Sequence, residues 1–386
     1  MTNIKIVIGA NYGDEGKGLM TDYFCEEAIS KGNKCLVVCS NGGSQRGHTV
    51  VAPDGIRHVF HHFGAGTLAG ADSYLSEEYI VNPIVFCREY KELTEKGFKP
   101  VVFVHSDCRW STPFDMIVNQ IVEESRGEKR HGSCGIGIWE TIVRYETFSW
   151  TLKEACNVDD FVLKKWMLDI RDEYLPERLK ELGVLQIPES WQEILYSEGL
   201  INSFISDFRF FMNQITLTDD QIMKTYPEIV FENGQGLLLD QNILEHQQHT
   251  TPSNTGLENP RKLIDHIFEK EERNVEVCYV TRTYLTRHGA GPLDNECAKE
   301  MINKTMVDLT NVPNPHQGTL RYGQLDIPDL FQRIYKDFGQ NETMQLSLAV
   351  THINEFPWQE KNCTETISYY FSEGEDRTCI KKRIQL

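Results

Sequence analysis

The chain is short of positive charge: its 386 residues include 39 Lys and Arg against 57 Asp and Glu, a formal net charge of −18. That balance argues against nucleic acid or an anionic membrane surface as the main partner, so any anionic substrate must be held by local positive sites. No run of about eighteen apolar residues occurs, and no membrane-crossing helix is expected. A charged-then-apolar leader is missing from the N-terminus, which makes the cytoplasm the expected location. Eleven cysteines include no Cys-x-x-Cys pair, so neither a zinc ribbon nor a disulfide framework is signalled, and reduced core thiols are expected. Internal repeats, low-complexity tracts and Ser/Pro-rich linkers are also missing, which removes support for two flexibly joined domains. What remains is a globular composition, 40% apolar, in a chain long enough for one large α/β domain or two ordinary ones.

The stretch that organises the chain is Ile4-Lys5-Ile6-Val7-Ile8-Gly9-Ala10-Asn11-Tyr12-Gly13-Asp14-Glu15-Gly16-Lys17-Gly18. It reads as a strand, a phosphate-cradling loop and the start of a helix, because its glycines let backbone N–H groups close on an anion at a helix N-terminus. Lys17 adds a point charge for phosphate. The spacing is not Walker A: Asn11 stands where that pattern needs glycine, and Gly18 replaces its hydroxyl. A glycine-rich turn alone is weak evidence of function. Asp14 strengthens it, since a carboxylate beside a phosphate site is repelled unless a metal or a proton transfer employs it.

After the loop, Leu19, Met20, Tyr23, Phe24 and Ala28 recur at helical spacing up to Gly32, and Lys34 to Cys39 reads as a second buried strand. This βαβ opening predicts an α/β fold with a mostly parallel central sheet and a site at the carboxyl ends of its strands. Further strands are expected at Val101–Val104, Glu228–Phe231, Val275–Thr281 and Gln345–Val350. Residues 145–227 turn helical and charged, and are expected to form a helical insertion within a single domain of residues 1–386.

Polar islands interrupt the strands. The first is Ser40-Asn41-Gly42-Gly43-Ser44-Gln45-Arg46-Gly47-His48-Thr49, in which His48 read alone is more readily structural than catalytic, though it follows the strand beside the one that carries Asp14. Phe231-Glu232-Asn233-Gly234-Gln235-Gly236, Thr251-Pro252-Ser253-Asn254-Thr255 and Thr286-Arg287-His288-Gly289-Ala290-Gly291-Pro292 follow in order. Taken together they resemble the adenylosuccinate synthetase family, whose members carry Gly-Asp-Glu-Gly-Lys-Gly, Gly-His-Thr, Phe-Glu-Gly-Ala-Gln-Gly, Thr-Ser-Ser-Asn-Thr and Thr-Arg-Val-Gly-Ala-Gly-Pro in the same sequence.

The resemblance implies a two-step ligation in which a nucleoside triphosphate phosphorylates the purine 6-oxygen and aspartate then displaces the phosphate. Asp14 matches the base that takes the N1 proton and also touches Mg²⁺, with the Gly47 carbonyl completing the metal site. His48 matches the group that stabilises charge on O6 or on the moving phosphoryl, and Lys17 the γ-phosphate ligand. Gly13, Glu15, Gly16, Gly18 and Thr49 belong with the triphosphate by the same resemblance. Asn11, Gln45, Gln235 and Thr251 belong with the monophosphate, as does the turn holding Ser133 and Cys134, whose N–H groups are candidates to cradle its phosphate. Arg144 falls where the family reaches across a homodimer interface to the partner's monophosphate; its alternative is a solvated helix arginine.

Three departures bear on specificity. The arginine-rich loop that holds aspartate is reduced here to a run ending His316-Gln317-Gly318-Thr319-Leu320-Arg321, so Arg321 and Thr319 are the aspartate-binding candidates. Where the family's Thr-Lys-x-Asp reads guanine, this chain has Thr351-His352-Ile353-Asn354, and a neutral amide at Asn354 suits adenine. ATP or dATP is therefore expected over GTP. Changes around Gln45 and Cys134 make room for a 2-amino group. Both traits fit a phage-encoded branch, the 2-aminoadenylosuccinate synthetases, which join aspartate to dGMP; against that branch, its better-known members replace the loop acid with serine, and this chain keeps Asp14. dGMP is expected ahead of IMP as acceptor, adenylosuccinate synthesis from IMP with GTP is the alternative within the class, and a nucleotide-binding regulator without catalysis is the rival of a different class.

Overall fold

Ile4-Lys5-Ile6-Val7-Ile8 forms the middle of the molecule because β-branched side chains suit a pleated strand buried on both faces. It lies in strand β1 (Thr2–Gly9). The computed structural model describes residues 1–127, 130–304, 319–341, 343–364 and 367–383. After β1 come β2 (Cys35–Cys39), the hairpin β3 (His48–Val51) and β4 (Arg57–Phe60), β5 (Asp72–Leu75), β6 (Val102–His105), β7 (Thr216–Thr218), β8 (Glu228–Glu232) and β9 (Arg273–Arg282). The chain then adds β10 (Leu285–Arg287), β11 (Glu296–Cys297), β12 (Arg321–Gly323), β13 (Met344–Thr351), β14 (Ser368–Ser372) and β15 (Ile380–Arg383). Ten strands make one sheet in the order β15-β14-β13-β9-β1-β8-β2-β5-β6-β7. Every pair in it is parallel except β14 with β15.

Side-chain alternation along β1 builds a core on each face. Ile4, Ile6 and Ile8, with Leu36, Val38 and Val277, pack beneath Ile264 and Ile267 of one helix (Glu258–Ile267) and Leu330 and Ile334 of another (Ile327–Phe338). On the opposite face Val7, Val37, Val230 and Val280 meet Met20, Phe24, Cys25 and Ala28 of helix α1 (Lys17–Ile29). Each such aliphatic side chain contributes about 1.5–3 kcal/mol on burial. Covering both faces fixes the carboxyl edge of β1, with its glycine loop, between β8 and β9, which is where doubly wound sheets open a crevice.

The strands expected from the sequence occur with ends shifted by one or two residues. The hairpin β3–β4 and the short strands β5 and β7 were not expected, since three or four residues carry too little alternation to read. Helix α2 (Pro83–Glu95) joins β5 to β6, and between β6 and β7 the chain is largely helical. That helical stretch starts with α3 (Pro113–Ser125) and α4 (Ile138–Tyr145), ahead of residue 145, and ends with the helix Glu198–Gln214, after which β7 rejoins the sheet. The early start has a local cause: Thr112 and Asp115 form a reciprocal capping box with Pro113 at the first helical position. Among the described residues no helix is long and apolar enough to cross a membrane.

Arg144 is corrected by this packing. It is neither a solvated helix arginine nor free to reach a partner, being 1% exposed in α4. Its Nε and Nη2 form a bidentate pair with Asp115 at 2.8 and 3.0 Å, and Nη2 and Nη1 also donate to the carbonyls of Trp110 and Phe148. The pair ties the capping box of α3 to α4, and the homodimer expected from Arg144 loses that argument. Arg144→Met should therefore leave the Asp115 carboxylate buried and unpaired, costing ~3–5 kcal/mol in urea denaturation. An unchanged urea midpoint would return Arg144 to a surface role.

Candidate functional site

A cleft of about 1250 Å³ opens over the carboxyl edge of β1, larger than a single drug-sized ligand needs. The turn after β1 places Gly13, Asp14 and Gly16 in left-handed backbone, at φ 97°, 55° and 97°. Gly16 is the N-cap of α1 and offers no side-chain cap, so the first N–H groups of that helix are left to an anion. Gly18 has a packing reason: a Cβ there would come within 2.9 Å of the Thr49 carbonyl and 3.1 Å of the His48 Cβ. Only glycine lets the β3–β4 hairpin lie against α1, and that contact carries His48 to the loop.

The site's charges are compensated in three different ways. Asp14 lies 3.2 Å from Nε2 of His288. Burial alone would raise its carboxyl, but His288, Arg282 and Lys17 outweigh it and bring the pKa down to about 2. Glu15, 2% exposed, accepts from the Asn11 N–H and lies 3.8 Å from Nζ of Lys17. Burial dominates there, only partly opposed by Lys17, and pushes its pKa up to about 7. Glu232 ends β8 fully buried; its Oε1 lies 2.7 Å from Nδ1 of His48, while its Oε2 accepts from the Ala65 N–H and from Nη1 of Arg46. Burial would raise Glu232, but His48 and Arg46 hold it below the ordinary range, and burial lowers His48 against the pull of that carboxylate. The carboxylate can only accept, so Nδ1 bears the hydrogen and Nε2 is left for a ligand.

Most of the residues singled out in the sequence line this one cleft: Gly13 to Gly18, Gln45, Gly47 to Thr49, Ser133, Cys134, Gln235, Thr251, His352 and Asn354. Gln45 Nε2 lies 3.5 Å from the Thr251 hydroxyl, and the Oε1 atoms of Gln45 and Gln235 are buried without a partner among the described residues. Two orphan amide oxygens in a cavity are acceptors awaiting a donor such as a base or ribose. His352 sits at φ 60° with Nδ1 2.9 Å from the Thr351 hydroxyl, and burial pushes it well below the ordinary imidazole range, so it is neutral. Asn354 is exposed in the turn that follows.

Other expectations meet different surroundings. Asn11 is turned away from the cleft, its amide spent on the Thr281 hydroxyl and on Nη2 of Arg333. The N–H groups of Gly132 and Ser133, expected to cradle a phosphate, donate to the Glu123 carboxylate, and the Ser133 hydroxyl to Asn119. Arg321 is not in the cleft. Its Nε and Nη2 grip Glu296, and Nη1 bonds to the carbonyls of Gly289 and Gly291, so the carboxylate it holds is the protein's own. Thr319 is exposed outside the cleft, and His316 lies outside the described residues.

Sequence reasoning missed Glu232, Arg282 and His288. Arg282 donates Nε to the Asp14 carbonyl and Nη1 to the Tyr284 hydroxyl, bracing the loop from β9. A signal for Glu232 was present: an acid directly after the apolar run Ile229-Val230-Phe231 needs a partner to be buried.

A doubly wound sheet whose first βα turn is an uncapped, lysine-bearing glycine loop defines an α/β protein with a loop shaped to receive an anion. Residues 6–334 match the family model described as Adenylosuccinate synthetase, and the chain belongs to that family. The adenylosuccinate synthetase of Vibrio vulnificus (strain YJ016) is 28% identical over 323 residues, which cover 77% of this chain and 64% of that relative, so the chain spans about two thirds of the relative's length. Two solved structures share the fold. Fully ligated adenylosuccinate synthetase from Plasmodium falciparum superposes with a TM-score of 0.69 at 16% identity, covering 99% of this chain and all of the other. Succinoaminodeoxyadenylate synthetase of cyanophage S-2L, bound to dGMP and to dATP as an energy donor, gives 0.64 at 15% identity, covering 99% and 95%.

The raised Glu15 carboxyl sets a pH dependence. The native state keeps a proton that the unfolded chain, with an ordinary value of 4.5, releases; the stabilisation is complete below that value and is lost as pH rises through about 7. The ligand-free protein should lose on the order of 3 kcal/mol between pH 5 and pH 8 from this group. Glu15→Gln should remove that fall, and denaturation at several pH values checks it; an identical slope in the variant would refute the assignment.

Proposed function

We propose that the chain is a purine nucleoside monophosphate:L-aspartate ligase driven by an adenine nucleoside triphosphate, with dGMP or GMP favoured as acceptor. The observation that carries the reading is the pairing, around one phosphate loop, of an ionised Asp14 with an imidazole backed by a buried carboxylate, His48 on Glu232. The two neighbouring carboxyls are driven apart, Asp14 to about 2 and Glu15 to about 7, which leaves Asp14 ionised and able to meet a donor or a cation.

In the first step Asp14 takes the N1 proton of the purine as O6 bonds to the γ-phosphorus, and the bond from that phosphorus to the bridging oxygen of the diphosphate breaks. Lys17 and the N–H groups at the start of α1 hold the phosphates, and His48, taking a second proton on Nε2 with the Glu232 carboxylate behind Nδ1, donates through Nε2 to the charge on the transferred group. In the second step the amine of aspartate bonds to C6 as the C6–O bond breaks, and inorganic phosphate leaves carrying the proton that the amine gives up. Mg²⁺ fits this donor set: it prefers one or two carboxylates with substrate phosphates to an all-protein cage, and it would be held by Asp14 and the Gly47 carbonyl. Bound there it would neutralise phosphate charge. Among the described residues no cluster of three His, Cys, Asp or Glu side chains forms, which such a site does not require. How aspartate is held is not carried by Arg321, which is spent on Glu296.

For the donor, exposed Asn354 and neutral His352 stand where guanine recognition needs a carboxylate and a cation, and the cyanophage relative of the same fold was solved with dATP. For the acceptor, dGMP in that relative supports the guanine reading, while the retained Asp14 supports IMP as the second reading. A coupled assay with aspartate, pairing ATP or GTP with dGMP, GMP or IMP, tests both. ATP with dGMP should be fastest, and Asn354→Asp with His352→Lys should move donor preference toward GTP by about ten- to a hundredfold as one or two hydrogen bonds change hands. Wild-type protein that uses GTP as fast as ATP would overturn the donor reading, and turnover confined to IMP the acceptor reading.

A further inference from the structure

The segment after β9 presents one side chain that the mechanism above leaves unused. In Thr286-Arg287-His288 the histidine occupies the place that the resembling motif gives to valine. Its neighbours are fixed. The Thr286 hydroxyl bonds to the Gly13 carbonyl, and Arg287 donates to the carbonyls of Pro292 and His249 while its guanidinium lies 4.8 Å from the centre of the Tyr12 ring. β10 is thereby fastened to the phosphate loop, and His288 Nε2 arrives 3.2 Å from Asp14 Oδ2 with both side chains lining the cleft. An ionised carboxylate only accepts, so Nε2 bears the hydrogen.

Asp14 is otherwise held by its backbone: φ is 55°, a conformation most residues avoid, and its carbonyl is taken by Arg282. Two side-chain torsions would still be soft. The imidazole fixes them from one side, and Oδ1 is the oxygen that no described side chain claims.

The geometry points to His288 as a positioning residue for the loop acid, its Nε2–H occupying Oδ2 so that Oδ1 is presented to the purine N1–H. The inference rests on Asp14 being the base. A carboxylate that rotates out of a near-attack arrangement loses rate without losing the substrate contacts made elsewhere, so the effect falls on kcat rather than on KM.

Three variants test it: His288→Val, His288→Gln, which keeps an N–H at similar reach, and Asp14→Asn. His288→Val should lower kcat about tenfold with KM for the monophosphate changed less than about threefold. His288→Gln should recover most of the rate, and both should melt as the wild type does. Added to Asp14→Asn, His288→Val should cost nothing further, because its effect acts through the same carboxylate. A crystal structure of His288→Val should show the Asp14 side chain in another rotamer. A wild-type kcat in His288→Val, equal losses in the Val and Gln variants, or an unmoved Asp14 would each overturn the inference. The base reading fails separately: Asp14→Asn retaining more than about a tenth of normal turnover would remove it, whereas an inactive Asp14→Asn beside a fully active His288→Val removes the positioning role alone.

Discussion

The cleft depends on how carboxylates are kept at the edge of the sheet beside the uncapped start of a helix. Asp14, Glu15 and Glu232 bring part of the chain's formal charge of −18 to that edge, and burying an ionised group uncompensated costs several kcal/mol. Each is handled by a separate device. Asp14 is surrounded by Lys17, Arg282 and His288, Glu232 is shared between Arg46 and His48, and Glu15 sits where burial favours its proton. In the proposed ligase reading, this leaves Lys17 and the start of α1 for the phosphates.

The same logic runs through the scaffold. Arg46, buried at the foot of the island that carries His48, donates to the carbonyls of His61 and Phe63 as well as to Glu232, so the hairpin and the sheet are locked together through one guanidinium. Arg144 does the equivalent for α3 and α4 through Asp115. Bidentate and multi-carbonyl contacts suit arginine, whose planar fork spends several donors in fixed directions.

Local chemistry was legible in the sequence and pairing was not. The phosphate loop, the parallel sheet and the ends of β1, β8, β9 and β13 followed from β-branched runs and glycine placement, because those signals act over a few residues. Ordered polar islands led to His48, Gln45, Gln235 and Thr251, which do share a cleft. Arg144 and Arg321 read as ligand arginines because a guanidinium advertises an anion without naming it. Here the anions are Asp115 and Glu296, side chains 29 and 25 residues away, and no periodicity relates them. His288 escaped notice for the converse reason: its partner, Asp14, stands at the other end of the chain.

The strand order also governs how the protein comes into being. β1 is made first yet pairs with β8 and β9, so its neighbours emerge only after residues 228 and 273. Until then the glycine loop has no walls, and contacts of such sequence separation must await the closure of very long loops. The site is consequently among the last features to be completed during synthesis, and an exposed, strongly apolar first strand is what a nascent chain must keep from pairing wrongly in the meantime.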